Sequence, residues 1–509
     1  MRSALLPLLL LGCPAPQDST LDPDSQAPDP PIYEDLLSAA DGWLVGDLHA
    51  HTSYSSDGFD SVASQIAMAQ ALEDPEFLAV YPAYEGHGLD FLAFTDHGNV
   101  DAATDPDFTS ERLVLIPGAE WNFSIAEANL HGLDQRITVD LEGDGVDADD
   151  VRAAVEAVHQ LGVNFSINHP TAANYPFAWD VRTHDSLEVW NAGWALSVPP
   201  ADATTSVDWE AAHGEASPFW RRAIQAHSLH AGGEALVLYE AMLARGVHVA
   251  AVGGSDRHIL FLPGFPTTRV LVEDGGAADL ENVLAGIRSR RTFVSRGPAG
   301  PQLLLEVDSA SGAAMMGDQP TVVPGETVTI TVGTARAPAG ELRIIHGVAV
   351  ASDDDLEDAP LGQQVASFAL SPDGAVEHWT LDLEVQPGDW VYPVVVEPTV
   401  PAALEDEHGD DLRGLARASA AATTDFTAIS KIAGSLMDTE VLADPSECDI
   451  ADWEPMMLQC IPADQQSPGS FFVPDPLQRA FNAMTLDGEP TGWTMGAIGS
   501  AVLFVEAGT

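Results

Sequence analysis

His49 and His51 stand one residue apart in the stretch GDLHAHTSYSSDG, at the end of an apolar run made by Trp43, Leu44, Val45 and Leu48. In an extended chain residues i and i+2 point to the same side, so two imidazoles project together from the C-terminal end of one strand. Such a pair is a pincer for a metal ion. The same residue types return at the ends of other apolar runs: His97 in FTDH, Glu120 in PGAEW, His169 in INHP, and Asp256 with His258, again at i and i+2, in GGSDRH. One histidine beside an apolar run is ordinarily a satisfied core residue. The recurrence on run after run, with thirteen of the sixteen histidines before residue 259, makes coincidence a poor account. Imidazole with carboxylate suits zinc, manganese or iron, and a carboxylate can bridge two such cations. With more ligands than one ion needs, the natural reading is a multinuclear centre whose bound water is acidified into a hydroxide nucleophile.

These residues need a scaffold, and the chain supplies its signals. WLVGDLHAH, LDFLAFTDH, LVLIPGAEW, VNFSINHP, SLEVWN, VHVAAVGGSDRH and TTRVLVE are rich in β-branched and aromatic residues, several of them apolar almost throughout, as strands covered on both faces should be. Between them, DADDVRAAVEAVHQLG and GEALVLYEAMLARG read as amphipathic helices ending at glycine, the first also opening on aspartate. Alternation of strand and helix over about 43–297 implies a parallel α/β architecture with functional groups at the C-terminal strand ends. Residues 193–217 break the pattern and read as a long loop beside the site. After Gly297, TVTITVGT, GELRIIHG, EHWTLDLEV and DWVYPVVVEP carry no helical period and point to a small antiparallel sandwich. EGDGVDADD lacks the spacing of a calcium loop and reads as a solvated turn into a helix cap. Trp121 and Trp190 wall the pocket or fill core, core being favoured. Arg257, between two ligand candidates, either contacts an anionic substrate or forms a structural ion pair. No G-x-S-x-G elbow is present, so a serine hydrolase is unsupported.

Composition narrows the class further. A chain of 509 residues with 45% hydrophobic content can fill more than one core. Its 20 basic and 78 acidic side chains give a formal charge of -58, and Lys431 is the sole lysine, which excludes a nucleic-acid partner held through phosphates. Such a surface suits a cation-rich setting, although a compositional bias toward arginine, alanine and aspartate accounts for it equally. The opening MRSALLPLLLLGC is a charged residue followed by an apolar run too short to span a bilayer, hence an export signal. Its end resembles a bacterial lipoprotein cleavage box with Cys13 as the lipidated residue, an ordinary secretory signal being the alternative. The Pro, Asp and Ser-rich stretch that follows has too little apolar surface to fold and serves as a tether. Export makes a disulfide between Cys448 and Cys460 plausible, with two free thiols as the alternative.

Taken together, DLHAHTSYSSDG, AFTDHG, IPGAE, INHP and GGSDRH resemble the successive motifs of the PHP (polymerase and histidinol phosphatase) superfamily of metal-dependent phosphoesterases. VWN, RRTFVSRGP and AISKI resemble its CehA/McbA-type metallohydrolase branch. The resemblance covers about 43–300 strongly and 300–435 weakly. It implies a distorted seven-stranded β/α barrel of PHP type followed by a smaller β-rich, sandwich-like domain, with two to three divalent cations (Zn, Mn or Fe). His49, His51, Glu120 and Asp256 would hold the first cation. Glu120 would bridge to a second bound by His169, and Asp57, His97 and His258 would hold a third. Where the branch has a further histidine, this chain reads SIAEANLHGL, so either Glu127 or His131 completes the second site. Glu120, Asp256 and His258 are the expected catalytic residues. The resulting division is 1–13 signal with Cys13, 14–40 tether, 41–298 metallohydrolase domain, 299–435 β-rich domain and 436–509 irregular tail. The expected activity is hydrolysis of a small-molecule ester, first a phosphoester, alternatively a carboxylester, carbamate or amide. The expected location is the cell envelope, with the membrane contacted only through the lipid. A non-catalytic surface binding lipoprotein is the third reading, and it leaves so many convergent polar groups unexplained.

Overall fold

The computed structural model describes residues 42–398 and 493–507, apart from 56–57, 59, 72–87, 123–125, 136–145, 173–175, 193–214, 226–230, 259–261, 273–277, 338–339 and 357. The signal and tether, Cys13, Asp57, Cys448, Cys460 and most of the 193–217 loop therefore lie outside the described residues.

Each apolar run of the first half forms a strand: β1 (Trp43–Asp47), β2 (Phe91–Phe94), β3 (Val114–Asn122), β5 (Asn164–Ile167), β6 (Ser186–Asn191), β7 (Ala250–Gly254) and β8 (Thr267–Leu271). They share one large sheet with β4 (Glu127–His131) and β9 (Thr292–Ser295), in the order β9-β8-β1-β2-β3-β4-β5-β6-β7. The architecture is mixed α/β. The expectation of a parallel sheet is corrected at two places. β1, β2 and β3 are parallel, as are β5, β6 and β7, but β4 runs antiparallel to both its neighbours. β8 and β9 are antiparallel additions beside β1. The reversal at β4 follows from the short connection between β3 and β4, residues 123–126, which allows a hairpin but no crossover.

Both punctuated segments form helices, and three more helices form that carried no such signal. Among the described residues the helices are α1 (Val62–Ala71), α2 (Ala148–Gln160), α3 (Pro218–Gln225), α4 (Ala231–Ala244) and α5 (Leu280–Arg288). Asp147 caps α2 through the Asp149 and Asp150 backbone N–H groups, and Asp150 returns the bond, so the acidic stretch before the helix is a capping box. Val151, Ala154, Val155 and Val158 then face inward, against a core that also takes residues of β5, β6 and α4. Past the helix end, Gly162 takes a φ of 76° that few other residues adopt.

The run from β1 to β7 turns back on itself. Beyond the ends of these two strands Ala50 forms a parallel bridge with Arg257, Asp256 N–H donates to the His49 carbonyl at 2.9 Å, and His51 N–H donates to the Arg257 carbonyl at 3.0 Å. Leu48, Phe91, Ala93, Ile116, Ala250 and Val252 accordingly share one buried cluster, joined by Val283, Leu284 and Ile287 of α5. The opposite, C-terminal strand ends are left to the polar residues.

The β-rich half has two layers. β10 (Gln302–Ser309), β11 (Gly312–Met315), β13 (Glu326–Ala335) and β16 (Glu377–Val385) make one sheet in the order β11-β10-β13-β16, and β12 (Thr321–Val322) pairs separately with β20 (Val505–Glu506). The second layer, β14 (Glu341–Gly347), β15 (Gln363–Ala369), β17 (Trp390–Pro398), β18 (Trp493–Gly499) and β19 (Val502–Leu503), is an extension of the large sheet, attached where β18 pairs with β9. Leu303, Leu305, Ile330 and Val332 from one layer pack with Leu342, Ile344, Val391 and Val395 from the other, which is the expected sandwich. The expected irregular tail is corrected at its described end, since 493–506 supply three strands. Among the described residues no helix is long and apolar enough to cross a membrane.

Two histidines away from the strand-end cluster make the fold acid-sensitive. Burial pushes the pKa of His184 down to about 4 and that of His248, with help from Arg290, to about 3. His248 Nε2 lies 2.8 Å from the Ala501 carbonyl and ties the C-terminal segment to the chain entering β7. Because the unfolded imidazoles take up protons near pH 6.5 while the folded ones stay neutral, stability is fully present above that pH and falls as pH drops toward 4 and 3, by up to about 1.4 kcal/mol per pH unit for each histidine. Urea midpoints should therefore fall between pH 7 and pH 4.5, and the His184→Gln variant should show a shallower fall; parallel profiles would refute this assignment.

Candidate metal centre

Backbone pairing aims the ligands. The His49–His51 segment is held extended between two neighbours: Thr95 N–H donates to the Ala50 carbonyl on one side, and Asp256 and Arg257 pair with it on the other. His49 and His51 thus share one face, and their Nε2 atoms approach to 3.1 Å. His97, past the end of β2, bridges Glu120 near the end of β3 in parallel register, bringing His97 Nδ1 within 3.0 Å of Glu120 Oε2. His169 and Asp256 hold backbone φ values of 22° and 48°, in the left-handed region that residues with a Cβ rarely visit. Two of the ligand candidates therefore sit on unusual backbone.

Around His49 Nε2 lie Glu120 Oε1 at 3.2 Å and Asp256 Oδ1 at 3.3 Å, while His51 Nε2 lies 3.3 Å from both Glu120 Oε2 and Asp256 Oδ1. Atoms bound tetrahedrally at about 2.0–2.1 Å from one cation lie about 3.3–3.4 Å from each other. The first ligand set therefore has the dimensions of a coordination shell. A second group joins it through Glu120: His97, Glu120 and Glu127 converge, with His169 Nε2 3.4 Å from Glu120 Oε1 and 3.3 Å from Glu127 Oε2. A third joins His51, His97 and His258. All are buried except His97 and His258, which are partly exposed and mark the open side. These buried groups could bind metal ions.

The hairpin settles which residue of EANLH joins the cluster. Because β4 starts where β3 ends, with Glu127 paired to Asn122, Glu127 is delivered to the ligands. His131, at the other end of the strand, places Nε2 2.8 Å from the Leu48 carbonyl. Burial lowers its pKa to about 4, and it stands outside the converging groups, among which Glu127 is found.

Arg257 also has its place. Its side chain is 1% exposed and turned to Asp60, with Nε and Nη2 at 3.1 and 2.7 Å from Oδ2. Of the two roles expected for it, the geometry gives the structural ion pair. Trp190 is buried in core and Trp121 packs against the same cluster.

Several supporting groups carry no signal in the ligand pattern. Glu188 Oε1 lies 2.8 Å from His49 Nδ1. Ser55 Oγ lies 3.0 Å from His51 Nδ1, accepts the His97 backbone N–H at 2.9 Å and donates to Asp96 Oδ1 at 3.1 Å. Such partners hold a ligating imidazole by its far nitrogen and leave Nε2 for a cation. Asp47 accepts from the backbones of His49, Ser255 and Gly264 and pins three segments together. Gly254 is obligatory for the approach of β7, since a Cβ there would stand 2.4 Å from His49 Cβ and 2.9 Å from Glu188 Oε1. Asp96 of TDH and Glu188 of EVWN are legible only as acidic residues next to ligand motifs.

The electrostatics favour a positive occupant. Burial opposes charge on His49, but Asp256, Glu120 and Glu188 together raise its pKa well above the ordinary value. Against the same penalty, hydrogen bonds to Glu120 and Glu127 raise His169 to about 10. Burial would push Glu120 and Asp256 upward, yet His49 leads the neighbouring groups that hold both below the usual carboxylate range. The carboxylates stay charged and require positive charge among them.

No family model matches the chain, and no curated protein matches it. Among solved structures it is similar to PsfC from Pseudomonas syringae PB-5123, with 17% identity over 49% of this chain and 90% of that one, at a TM-score of 0.29, a likeness that carries no argument.

Two outcomes test these placements. Glu127→Ala should lower the number of divalent cations bound per chain, measured by elemental analysis after dialysis, whereas His131→Asn should leave it unchanged; equal losses would reverse the assignment. Arg257→Ala should cost about 3 kcal/mol or more of folding stability in denaturant titration, because Asp60 is left buried without its partner. A stable variant with altered substrate handling would instead restore the substrate-contact role.

Proposed function

We propose that the protein is an exported, metal-dependent hydrolase of the PHP type, CehA/McbA branch, anchored through Cys13, with the run β1–β7 and its closing Ala50–Arg257 bridge as the distorted seven-stranded barrel. The observation that carries this reading is the first ligand set, in which four side chains from three separated motifs meet at coordination distances. His49, His51, Glu120 and Asp256 would hold one cation, Glu120, Glu127, His97 and His169 a second, and His51, His97 and His258 could share a third. Divalent zinc, manganese or iron bound there would acidify a water and polarise the ester under attack. The chain's own residues orient those ligands, exclude water from the inner side, and leave the His97 and His258 side open to substrate.

Phosphoester hydrolysis is the first activity to test. A specific observation favours the second, attack on a carboxylester or carbamate carbon. The first stretches past the ligand-bearing strands, 48–61, 95–110, 168–181, 193–217 and 255–266, contain one arginine, Arg257, and no lysine; Arg257 pairs with Asp60, and Arg182, just beyond, pairs with Asp180 and Asp353. A phosphomonoester dianion would meet no unpaired arginine or lysine from these stretches, whereas a neutral ester needs none.

The metal-loaded protein should hydrolyse at least one of an aryl phosphate, an aryl acetate and an aryl carbamate, and lose that turnover on chelation. His49→Ala and Asp256→Ala should each abolish turnover and lower cation content, and the double variant should cost little more than either, because ligands of one centre fail together. A folded His49→Ala protein with full cation content and near wild-type turnover would sink the proposal.

A further inference from the structure

We propose that Glu188 is the positioning residue of the first cation subsite, fixing which ring nitrogen of His49 faces the cation and tying that subsite to the second. The inference rests on the proposed cation site and adds to it a residue outside the ligand set. Glu188 is 2% exposed and its two oxygens serve different elements. Oε1 lies 2.8 Å from His49 Nδ1. Oε2 accepts the His169 backbone N–H at 2.9 Å and Asn191 Nδ2 at 2.9 Å, and Asn191 Nδ2 also reaches Asp256 Oδ2 at 3.3 Å. One carboxylate thus touches a ligand of the first set directly, a second through Asn191, and the backbone of His169 in the neighbouring set.

All of these contacts require an acceptor. With a carboxylate at Nδ1, that nitrogen is the donor, and Nε2 presents its lone pair toward Glu120 and Asp256. Glutamine has the same shape and reverses the logic. If its carbonyl stays with the two donors at Oε2, its NH2 faces His49, whose Nδ1 must accept, and the ring proton moves to Nε2, the atom a cation needs. If the amide flips, its NH2 meets the His169 N–H and the Asn191 NH2, donor against donor in a buried place. Either arrangement disables the subsite without changing side-chain volume.

The test compares zinc affinity of the full chain by competition titration, with cobalt(II) absorption as a second readout. Glu188→Gln should bind its tightest zinc about 10–100-fold more weakly and shift the cobalt bands, as loss of an outer partner of a ligating histidine does. Its metal-free form should remain folded by circular dichroism with a lowered thermal midpoint, since a buried donor loses its acceptor. In a His49→Ala background the same change should alter affinity by less than about threefold, since it acts through His49. Zinc affinity within about threefold of wild type, or losses that multiply in the double variant as independent sites do, would overturn the inference. If Glu188→Gln does not fold, Asn191→Ala, which removes the bridge between Glu188 and Asp256 but leaves the Glu188 contact to His49, should weaken zinc about 3–10-fold, and an unchanged affinity overturns the coupling. A wild-type chain that binds no zinc, manganese or iron overturns the cation site itself, a result separable from the others because it needs no variant.

Discussion

Glu120, Glu127, Glu188 and Asp256 bring four carboxylates into one volume where none is more than 6% exposed. Negative charge so placed is costly unless positive charge lies within a few ångströms. The described neighbours that answer it are imidazoles, His49, His51, His97, His169 and His258, which can do so in two ways. Without a cation, His49 and His169 hold protons, since the carboxylates around them raise their pKa values. With one, they give the protons up and lend their lone pairs, so cation binding and proton release are the same event seen from two sides. Much of the surrounding structure serves to hold this balance in one geometry.

The sheet meets that demand by direction. Strands that run parallel end together, so β1, β2, β3, β6 and β7 deliver histidine and carboxylate side chains to a common edge. β4 is the exception that completes the set: running the other way, it delivers its first residue instead of its last, and Glu127 replaces His131 at the cluster. Backbone pairing beyond the strand ends, His97 with Glu120 and Ala50 with Arg257, extends the sheet into the site and fixes the ligands more firmly than free loops could. At the opposite end α5 and the apolar cluster around Ile116 and Val252 exclude water.

The sequence was legible where one periodicity governed. Every long apolar run forms a strand and both punctuated helices form: the first-half strands are buried on both faces, β16 alternates, α2 buries one face, and α4, expected to be amphipathic, is buried nearly all round. EANLH was missed as a strand because it is short, mixes charge with apolar residues, and owes its place to a hairpin with β3. The strands at 493–506 were missed for a related reason: β18 is defined by its long-range neighbours β9 and β17, and its sequence WTMGAIG carries little alternation of its own. The role of Glu188 is not legible in SLEVWN because, in a strand buried on both faces, an acidic residue gives no sign of which neighbour it serves until His49 and His169 stand beside it.

Arg257 shows how far the parity argument reaches when carried through. If residues i and i+2 present one face to the cations, the residue between them must present the other. His49, Ala50 and His51 obey this, and Ala50 is fully buried behind the ligands. Asp256, Arg257 and His258 obey it too, and Arg257 is bridged to that same Ala50. An arginine in the middle of a pincer is therefore placed behind the ligand cluster by the geometry that makes the pincer, and its charge belongs to the wall, where Asp60 meets it. The ligand motif then offers no guanidinium to a substrate. On the proposed hydrolase reading, an ester bound there would take its electrostatic help from the cations themselves, which would narrow the substrates to those whose reacting group carries little charge beyond what the cations can neutralise.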